Sequence, residues 1–554
     1  MIPQKQTAIQ LVGPDQLALN TDKPVHRPGP RQILGKVECV GLCFSDMKLL
    51  KQFDGHARKS PVLAHLTPDV LKQIPTYVPN DAPTVPGHEV VLQVVEVGEG
   101  VTSVEVGKRY LVQADWRELK TEGSNGAFGY NFEGGLQQYV LVDERCSVAS
   151  DGTNYLLEMK EGKSVSATAL VEPWACVEQA FIHRERTELT EGGTLLYVKT
   201  SDTDPDFTHV DTERAGKRLC LKLDGDEACA CGKPGFDCVT IDQIADTSID
   251  DILFAGADAD VIESLMPKLA TNGLLVIATC GGLFARDVSA PVGRVHYGNV
   301  RLVGYHGDSF AKALARIPET GELRPGDHVH VIGAAGPMGS MATIRVISEG
   351  MADTSVEASD MAEERLAVLE RKAAAVAKRT GVPTRFFNPK DAQSEKPADY
   401  VMVMVPVGPL VAGAVRDSNP GAIINIFAGI QAEVSQDIDL DGYVRKGQYF
   451  IGTSGSTMED MYAVQSKVES GTLDTNLSVG AVSGMGGAIE GLEAVKTGAV
   501  SGKILVYPVL GDFPMTSLDD LVAQFPSIGP MLDDGCWTKA AEEELLRVAV
   551  PQAS

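Results

Sequence analysis

The sequence predicts a β-barrel domain combined with two doubly wound α/β modules, and three observations lead to this fold class. Short strands separated by glycine and proline turns fill the first 150 residues. Two stretches in the middle of the chain repeat each other, and one of them carries a glycine-rich turn between a strand and a helix. We expect the barrel at 1–188, the first module at 189–320, the second at 321–476, and a return to the barrel with a C-terminal tail over 477–554.

The amino-acid composition excludes some classes of binding partner and indicates a cellular location. The 554 residues include 75 acidic and 49 basic side chains, which gives a formal net charge of −26. Such a chain lacks the basic face that phosphate backbones and anionic membranes attract, so we expect neither nucleic acid nor a membrane as partner. Its start has no apolar signal segment, no apolar run is long enough to span a membrane, and ten cysteines are too few for a disulfide scaffold. We therefore expect a cytoplasmic location.

The barrel is predicted from strands with regular turns between them. Apolar or alternating segments lie at 32–40, 90–97, 110–112 and 136–142, with turn residues about every ten positions. The hydrophobic period then changes to 3.6 over 164–183, which predicts a single helix there.

The middle of the chain contains an internal repeat. The segment 251–255 matches 399–403, and the same offset of 148 residues places three glycines of the first copy on glycines of the second. These pairs are Gly273 with Gly421, Gly281 with Gly429, and Gly304 with Gly452. Each copy reads as strand, helix, strand, glycine-containing loop and strand, which is typical of the second half of a doubly wound sheet.

The two copies differ after their first strand. The second continues as the glycine-rich turn 333–339, where glycine allows the backbone to approach a pyrophosphate at a helix N-terminus. The first has Asp202, Asp204 and Asp206 in its place and no glycine, so negative charge would lie where the phosphate should bind. We interpret the first copy as a degenerate, structural module.

The second copy predicts a dinucleotide site. Asp360 lies near the end of the next strand, and we choose it over Glu357 as the acceptor for the ribose hydroxyls. A carboxylate there repels a 2′-phosphate, which favours NAD(H) over NADP(H). The expected cofactor-binding residues are Gly333, Gly336, Pro337, Met338, Gly339, Asp360 and Gly429.

Metal-ligating side chains occur in three separate motifs. These are Gly41-Leu42-Cys43-Phe44-Ser45-Asp46, Pro86-Gly87-His88-Glu89 and Val171-Glu172-Pro173. Cysteine, histidine and glutamate are zinc ligands, and three protein ligands with one open position are typical of a catalytic zinc site. Taken singly, each residue has a structural explanation as a core or turn residue. Their combination with the nucleotide turn indicates a metal-dependent enzyme.

These motifs, with Gly134-Gly135, Tyr139-Val140 and Gly502-Lys503, resemble those of zinc-dependent medium-chain dehydrogenases/reductases of the alcohol dehydrogenase superfamily. The resemblance covers residues 31–183 and 321–508. It is nearest to the sorbitol-dehydrogenase-like and sorbose-1-phosphate-reductase-like branch. It implies a GroES-like β-barrel catalytic domain with tandem Rossmann modules.

The resemblance also implies a role for each metal-site residue. Cys43, His88 and Glu172 would hold one catalytic zinc, and Glu89 would be an adjacent carboxylate that can enter or leave the coordination. The zinc would polarise an alcohol or carbonyl oxygen while hydride passes between the substrate and the nicotinamide.

Two more residues of the first motif receive roles from the same resemblance. Ser45 would pass on the substrate proton, and Asp46 would orient the His88 imidazole. With Glu89 they form the expected catalytic set.

Two departures from the family pattern shape the expectations. Residues 113–134, where the family's structural zinc lobe falls, contain no cysteine, so we expect one catalytic zinc and no structural zinc. The segment between Cys43 and His88 is long, and its extra part, 58–83, is either a lid or a surface insertion. Within it, Arg58 and Lys59 are candidates for binding the anionic group of a sugar phosphate.

The expected activity is zinc-dependent, NAD(H)-linked interconversion of a secondary alcohol and a ketone on a polyol, sugar or sugar phosphate. Two alternatives are a zinc-free quinone or enone reductase on the same scaffold and a non-catalytic nucleotide-binding scaffold protein. Family members pair through the edge strands of their nucleotide-binding sheets, so the duplication predicts an internal pseudo-dimer of Rossmann modules. The pseudo-dimer prediction allows the whole protein to be either a monomer or a higher homo-oligomer.

Overall fold

The structure of the protein is a computed structural model that describes residues 2–223, 235–453 and 455–550. The chain divides into two compact units, the first formed by Met1–Ala175 with Ser456–Ser554 and the second by Cys176–Gly455. The sequence-based boundaries at 188 and 476 lie further along the chain in both cases. The second boundary differs because the helix at 458–470 bonds to the barrel, with Gln465 Nε2 donating to the carbonyl of Glu158 at 2.7 Å.

The N-terminal part of the first unit consists mainly of antiparallel strands. These strands are β1 Lys5–Gly13, β2 Gln16–Pro24, β3 Gln32–Gly41, β4 Glu89–Val97, β5 Arg109–Val112, β6 Asp115–Lys120, β7 Asn125–Ala127, β8 Tyr139–Asp143 and β9 Leu156–Glu158. The helices are α1 Phe44–Gln52, α2 Pro68–Leu71, α3 Glu144–Ser147, α4 Val165–Ala169 and α5 Val171–Ile182.

The single helix predicted over 164–183 is wrong in one respect, because the structure has two. Leu170 separates α4 from α5, and Pro173 in the first turn of α5 has no amide hydrogen to continue the bonding of α4. Helix α5 begins in the first unit and ends in the second.

The first half of the second unit is a six-stranded parallel sheet with the order β12-β11-β10-β13-β14-β16. The strands are β10 Thr194–Lys199, β11 Lys217–Leu221, β12 Asp237–Val239, β13 Ile249–Ala255, β14 Leu269–Ala278, β15 Val288–Ala290 and β16 Arg301–Tyr305. The helices are α6 Ala259–Leu265, α7 Val292–Tyr297 and α8 Phe310–Leu314.

The second half repeats this topology with the order β19-β18-β17-β20-β21-β23. Its strands are β17 His328–Ile332, β18 Ser355–Ser359, β19 Thr384–Phe387, β20 Tyr400–Val403, β21 Ile423–Ile426, β22 Gln436–Ile438 and β23 Tyr449–Ile451. Its helices are α9 Pro337–Glu349, α10 Glu363–Thr380, α11 Gly408–Asp417 and α12 Leu440–Lys446. Numbered within each sheet, both orders are 3-2-1-4-5-6, so the predicted doubly wound parallel sheets are confirmed.

The chain then returns to the first unit and completes its main sheet. The elements are α13 Met458–Ser470, β24 Val479–Ser483, α14 Ala488–Thr497, β25 Lys503–Val506, β26 Thr516–Ser517, α15 Leu518–Gln524 and α16 Lys539–Ala549. The sheet order is β26-β24-β25-β3-β4-β5-β9, with β8 also on β3. Strand β25 therefore lies beside β3, with Leu505 opposite Gly41. Among the described residues, none of the helices is long and apolar enough to cross a membrane.

The two sheets of the second unit meet through equivalent elements. Strand β15 pairs antiparallel with β22, and its central residue Ser289 lies opposite Asp437, its own counterpart in the repeat. A segment that pairs with its own copy follows a local twofold relation. The Tyr443 hydroxyl also donates to the carbonyl of Leu302 at 2.7 Å and accepts from the amide of Phe450 at 3.0 Å. Both sheets contribute to one continuous hydrophobic cluster.

In the first sheet, the segment after β10 folds back over the carboxyl end of the strands. Asp206 forms a bridge with Ser309, and the ring of Phe207 lies 5.2 Å from that of Tyr197 and 5.1 Å from that of Phe310. The side chain of Asp204 forms an ion pair with Lys199. Part of this chain therefore covers the end of the sheet where the second copy has its glycine-rich turn.

A buried ion network anchors helix α9 in the second unit. Arg345 is 1% exposed, and its guanidinium bonds to both carboxylate oxygens of Glu178, at 3.1 and 2.9 Å, and to Glu322 at 2.7 and 2.6 Å. Its carbon Cζ lies 3.7 Å from the ring centroid of Phe181. A buried charge with this many partners is costly to disrupt.

We expect Arg345→Met to destabilise the protein by about 3–5 kcal/mol, because it leaves the Glu178 carboxylate buried without its cation. The urea unfolding midpoint measures this loss. The double variant Arg345→Met/Glu178→Gln should regain part of it, while Arg371→Met, at an exposed position of α10, should change the midpoint little. Equal shifts of the urea midpoint in Arg345→Met and Arg371→Met would show that the buried ion network does not stabilise the protein.

Candidate active site

A cysteine, a histidine and a glutamate converge at one end of β3 and β4. Cys43 follows β3 and precedes α1, while His88 and Glu89 stand at the start of β4. Their ligand atoms all lie within 4.8 Å of one another. His88 and Glu89 are buried and Cys43 is half-buried, so the group has limited access to solvent.

The Glu89 carboxylate has one paired and one unpaired oxygen. Oε1 lies 2.5 Å from Nζ of Lys503, whereas Oε2 is buried and has no hydrogen-bond partner among the described residues. Gly41 is opposite Glu89 in the β3–β4 pairing, and a Cβ added there would lie 2.0 Å from Oε2. The absence of a side chain at Gly41 therefore leaves room for this oxygen.

The His88 imidazole is held through its other nitrogen. Nδ1 lies 3.1 Å from Oδ1 of Asp46, which is fully buried, and Oδ2 of Asp46 accepts from the amide of Cys43 at 3.2 Å. A carboxylate at Nδ1 favours the tautomer whose Nε2 carries a lone pair. The Ser45 hydroxyl lies 3.1 Å from Nε2 and 3.1 Å from Sγ of Cys43.

Glu172 is buried in the first turn of α5 and is not one of the three residues whose ligand atoms lie within 4.8 Å of one another. Burial raises the pKa of its carboxyl to about 7, His88 and Lys503 oppose this, and Glu89 adds to it. Glu172 is thus close enough to interact electrostatically with the group. Its role as a metal ligand stays a prediction.

The donor set fits a divalent cation. Two carboxylates and a thiol, from Glu89, Glu172 and Cys43, surround the site, and Lys503 is the buried ammonium beside them. A buried carboxylate oxygen without a partner is costly unless a proton or a cation satisfies it. Sulfur, imidazole nitrogen and carboxylate oxygen are the ligands that zinc takes in proteins.

Sequence reasoning missed two residues of the site. Tyr130 is buried, with its ring centroid 5.8 Å from that of His88 and 5.2 Å from that of His56. No motif around Tyr130 indicates this position. Lys503 belongs to a quoted motif, but its ion pair with Glu89 joins positions 414 residues apart and is visible only in the fold.

The segment 58–83 packs into the first unit. Val62, Leu71 and Ile74 are part of its main hydrophobic cluster. Lys59 is fully buried, and its ammonium donates to the carbonyls of Val78 and Ala82. Lys59 therefore holds the segment in place, and the expectation that it binds an anionic ligand is wrong. Burial lowers its pKa to about 8.

The glycines of the turn 333–339 have distinct environments. Gly333 has a φ of +80°, and a Cβ at Gly339 would lie 2.3 Å from the Gly333 carbonyl oxygen. At Gly336, which caps α9, a Cβ would meet nothing closer than 3.9 Å, and Pro337 occupies the first turn. Helix α9 therefore presents its N-terminus through a turn that requires glycine at positions 333 and 339.

The other predicted cofactor residues lie just after strands of the second sheet or at the start of the helix that follows the turn. Asp360 accepts from the amides of Ala335 and Ala362, each at 2.9 Å, and thus contacts the turn. Glu357 is engaged elsewhere: burial raises its pKa, but Ser394 and Arg385 outweigh this and hold it at about 2.

Met338 and Gly429 complete the predicted cofactor set. Met338 is half-buried in the first turn of α9. Gly429 is exposed after β21, and a Cβ there would lie 2.6 Å from the hydroxyl of Tyr297, which belongs to the first sheet's helix α7.

Residues 29–151 match the family model for the alcohol dehydrogenase GroES-like domain. This part of the chain is therefore similar to the GroES-like domain of alcohol dehydrogenases. The chain is also similar to (R,R)-butanediol dehydrogenase of Bacillus subtilis, 32% identical over 165 residues, which cover 28% of this chain and 40% of the relative. Sorbitol dehydrogenase of Halalkalibacterium halodurans is 25% identical over 186 residues, which cover 32% of this chain and 44% of that protein.

The chain spans less than half the length of the curated relatives it matches. Its fold resembles the crystal structure of 2R,3R-butanediol dehydrogenase from Bacillus subtilis, with a TM-score of 0.51 at 16% identity. The match covers 91% of this chain and 99% of that chain. The match to the domain model includes Cys43, His88 and Glu89.

We expect Gly339→Ala to destabilise the protein by about 1–3 kcal/mol, because its Cβ would collide with the Gly333 backbone. Gly336→Ala is the matched control, since its Cβ enters open space, and it should leave the urea midpoint nearly unchanged. A Gly339→Ala protein as stable as Gly336→Ala would show that the turn relaxes easily and would contradict the packing role.

Proposed function

We propose that the chain is a zinc-dependent oxidoreductase that transfers hydride between NAD(H) and a secondary alcohol or ketone of a polyol, sugar or sugar phosphate. The observation that carries this proposal is the buried, unpaired Oε2 of Glu89 beside Cys43 and His88. The similarity of part of the chain to a butanediol dehydrogenase and a sorbitol dehydrogenase supports alcohols as the class of substrate.

Cys43, His88 and Glu89 would hold the metal, and Glu172 is the nearby carboxylate that would complete or exchange into its coordination. Bound zinc would act as a Lewis acid on the alcohol or carbonyl oxygen of the substrate. We propose one such zinc per chain and no structural zinc. The Lys503 ammonium would balance part of the negative charge at Glu89.

The remaining side chains orient groups and move a proton. Asp46 fixes the His88 ring so that Nε2 presents its lone pair. Ser45, whose hydroxyl lies between His88 and Cys43, would accept the proton of the substrate hydroxyl and pass it to solvent. The buried ring of Tyr130 would exclude water from one side of the group.

We propose that one nucleotide binds per chain, on the second sheet. The N-terminus of α9 and the turn 333–339 would bind the pyrophosphate, while Asp360, which accepts only two amide hydrogens, retains acceptor capacity for ribose hydroxyls. The carboxylate favours NAD(H) over NADP(H). On the first sheet, the segment that contains Phe207 occupies the corresponding end, which supports our interpretation of that module as degenerate.

The two alternatives make different predictions. A zinc-free quinone or enone reductase would bind nucleotide without needing Cys43, His88 and Glu89, and a scaffold protein would show no turnover. The unpaired Glu89 oxygen favours the metal-dependent activity over both. The cytoplasmic location expected from the composition stays a prediction.

We expect purified protein to contain about one zinc per chain by metal analysis and to reduce NAD with a polyol or sugar as substrate, as followed at the NADH absorbance. Removing zinc with a chelator should abolish turnover, and adding zinc back should restore it. Protein without zinc would contradict the metal-dependent proposal, and turnover of an enone or quinone by that protein would favour the zinc-free alternative.

We expect Gly41→Ala to weaken zinc binding about tenfold or more, because its Cβ displaces the Glu89 carboxylate oxygen. Competition with a chromophoric chelator measures the affinity. Gly55→Ala is the control, since a Cβ there would meet nothing within 4 Å. Equal zinc affinity in the two variants would exclude Glu89 as a ligand.

We also propose that the two sheets form an internal pseudo-dimer. The pairing of Ser289 with its counterpart Asp437 supports this, because a true twofold dimer places the same segment against itself. The Tyr443 bonds near β16 and β23 further support it, since they occupy sheet edges through which family members pair.

If this contact replaces subunit pairing, the protein should be a monomer of 59.0 kDa at micromolar concentration. Light scattering coupled to size exclusion measures the mass over a range of concentrations. A dimer whose cross-linked peptides map to β23 would contradict the pseudo-dimer. A larger assembly that forms through other surfaces would be compatible with it, because β23 would not take part in the subunit contact.

A further inference from the structure

We propose that Arg58 and His56 form a subsite for an anionic oxygen group of the substrate, either a phosphate monoester or a carboxylate, beside the Cys43–His88–Glu89 group. The inference rests on the proposed function, because it names the class of substrate that this active site selects. It states that the active site prefers a negatively charged substrate, a property that neither the fold nor the metal-ligating residues determine.

Tyr130 brings the subsite and the metal group together. The guanidinium carbon of Arg58 lies 5.2 Å from the centroid of the Tyr130 ring, and the rings of His56 and His88 lie 5.2 and 5.8 Å from the same centroid. All three side chains are therefore within 6 Å of one buried ring. In this proposal one small molecule would contact the metal group through a hydroxyl and Arg58 through another substituent.

The charge of Arg58 is not neutralised at contact distance. In the described parts of the chain its side chain makes no ion pair, although other partly buried arginines such as Arg145 and Arg385 each hold a carboxylate. Arg58 is half-buried, and its charge acts on both Tyr130 and Glu172. A planar guanidinium in this state is suited to bidentate recognition of a carboxylate or phosphate.

His56 adds a hydrogen-bond donor of defined orientation. Its Nδ1 accepts from the backbone amide of Arg58 at 3.1 Å, so the neutral ring carries its proton on Nε2. Burial, Arg58 and Lys48 lower the pKa of His56 to about 4, which keeps the ring neutral near pH 7. The pair therefore offers a guanidinium fork and an N–H group above the same tyrosine.

The rest of the molecule makes such a site selective. With a net charge of −26 the protein repels anions in general, so an anionic substrate needs a specific cationic contact. Lys59, the adjacent cation, is fully buried against two carbonyls. Of the two adjacent cations, Arg58 is thus the one that remains available to a ligand.

The first test is kinetic and uses the full-length, zinc-loaded protein. A six-carbon polyol, its terminal phosphate monoester and the matching sugar acid are compared as substrates for the wild type and for Arg58→Gln, Arg58→Lys and Lys51→Gln. We expect Arg58→Gln to lower kcat/KM for the anionic substrate about 10- to 100-fold, mainly through KM, and to leave the neutral polyol unaffected.

The control variants separate charge from structure. Arg58→Lys keeps the charge without the fork and should retain part of the preference, and the exposed Lys51→Gln, which removes a charge nearby, should retain all of it. The phosphate and acid substrates distinguish the two anionic groups. An equal loss for neutral and anionic substrates in Arg58→Gln would show a structural role and overturn the inference.

The second test does not need turnover. Titration calorimetry measures binding of the polyol phosphate to the wild type and to Arg58→Gln. Binding that is lost in Arg58→Gln, in a protein without dehydrogenase activity, would support the subsite while contradicting the proposed function. Turnover of neutral polyols with no anion preference in the wild type would overturn the subsite and leave the proposed function intact.

Discussion

The first unit is organised around the buried carboxylate of Glu89, one oxygen of which has no hydrogen-bond partner among the described residues. Lys503 pairs with the other oxygen, and the thiol of Cys43 and the imidazole of His88 lie close to the carboxylate, which is why we propose a metal there. This arrangement explains why the chain returns to its first unit after 280 residues of α/β structure, since β25 must lie beside β3 to bring Lys503 there. It also explains the glycine at position 41, where any side chain would displace the oxygen.

The second unit shows a different consequence of duplication. Two sheets of the same strand order pack through equivalent strands, and within the described residues the glycine-rich turn and helix after the first strand belong to the second sheet. In the first, chain from the same module covers the sheet end, with Phe207 packed between two aromatic rings. The contact between the two sheets buries apolar surface whether or not a module has the glycine-rich turn.

Short-range patterns were sufficient for many of the elements. Side-chain periodicity and the internal repeat predict strands of both parallel sheets, because periodicity is a property of neighbouring residues. The family resemblance implied that Asp46 orients His88, and Nδ1 of His88 lies 3.1 Å from Oδ1 of Asp46. The same reasoning misjudged Lys59, because a lysine in a long insertion resembles a solvent-exposed one until its burial is known. It also predicted one continuous helix where Leu170 separates two.

By itself the sequence determined the barrel, the two parallel sheets, the glycine-rich turn and the cysteine, histidine and glutamate motifs. Only the tertiary structure decided which carboxylate lies beside Cys43 and His88: Glu89 joins them within 4.8 Å, while Glu172 interacts with His88 and Glu89 through its charge. It alone revealed the positions of Lys503 and Tyr130, and an Arg58 guanidinium that makes no ion pair within the described residues. The physical reason is that charge pairing and ring contacts depend on distance and burial, which are properties of residues far apart in the chain.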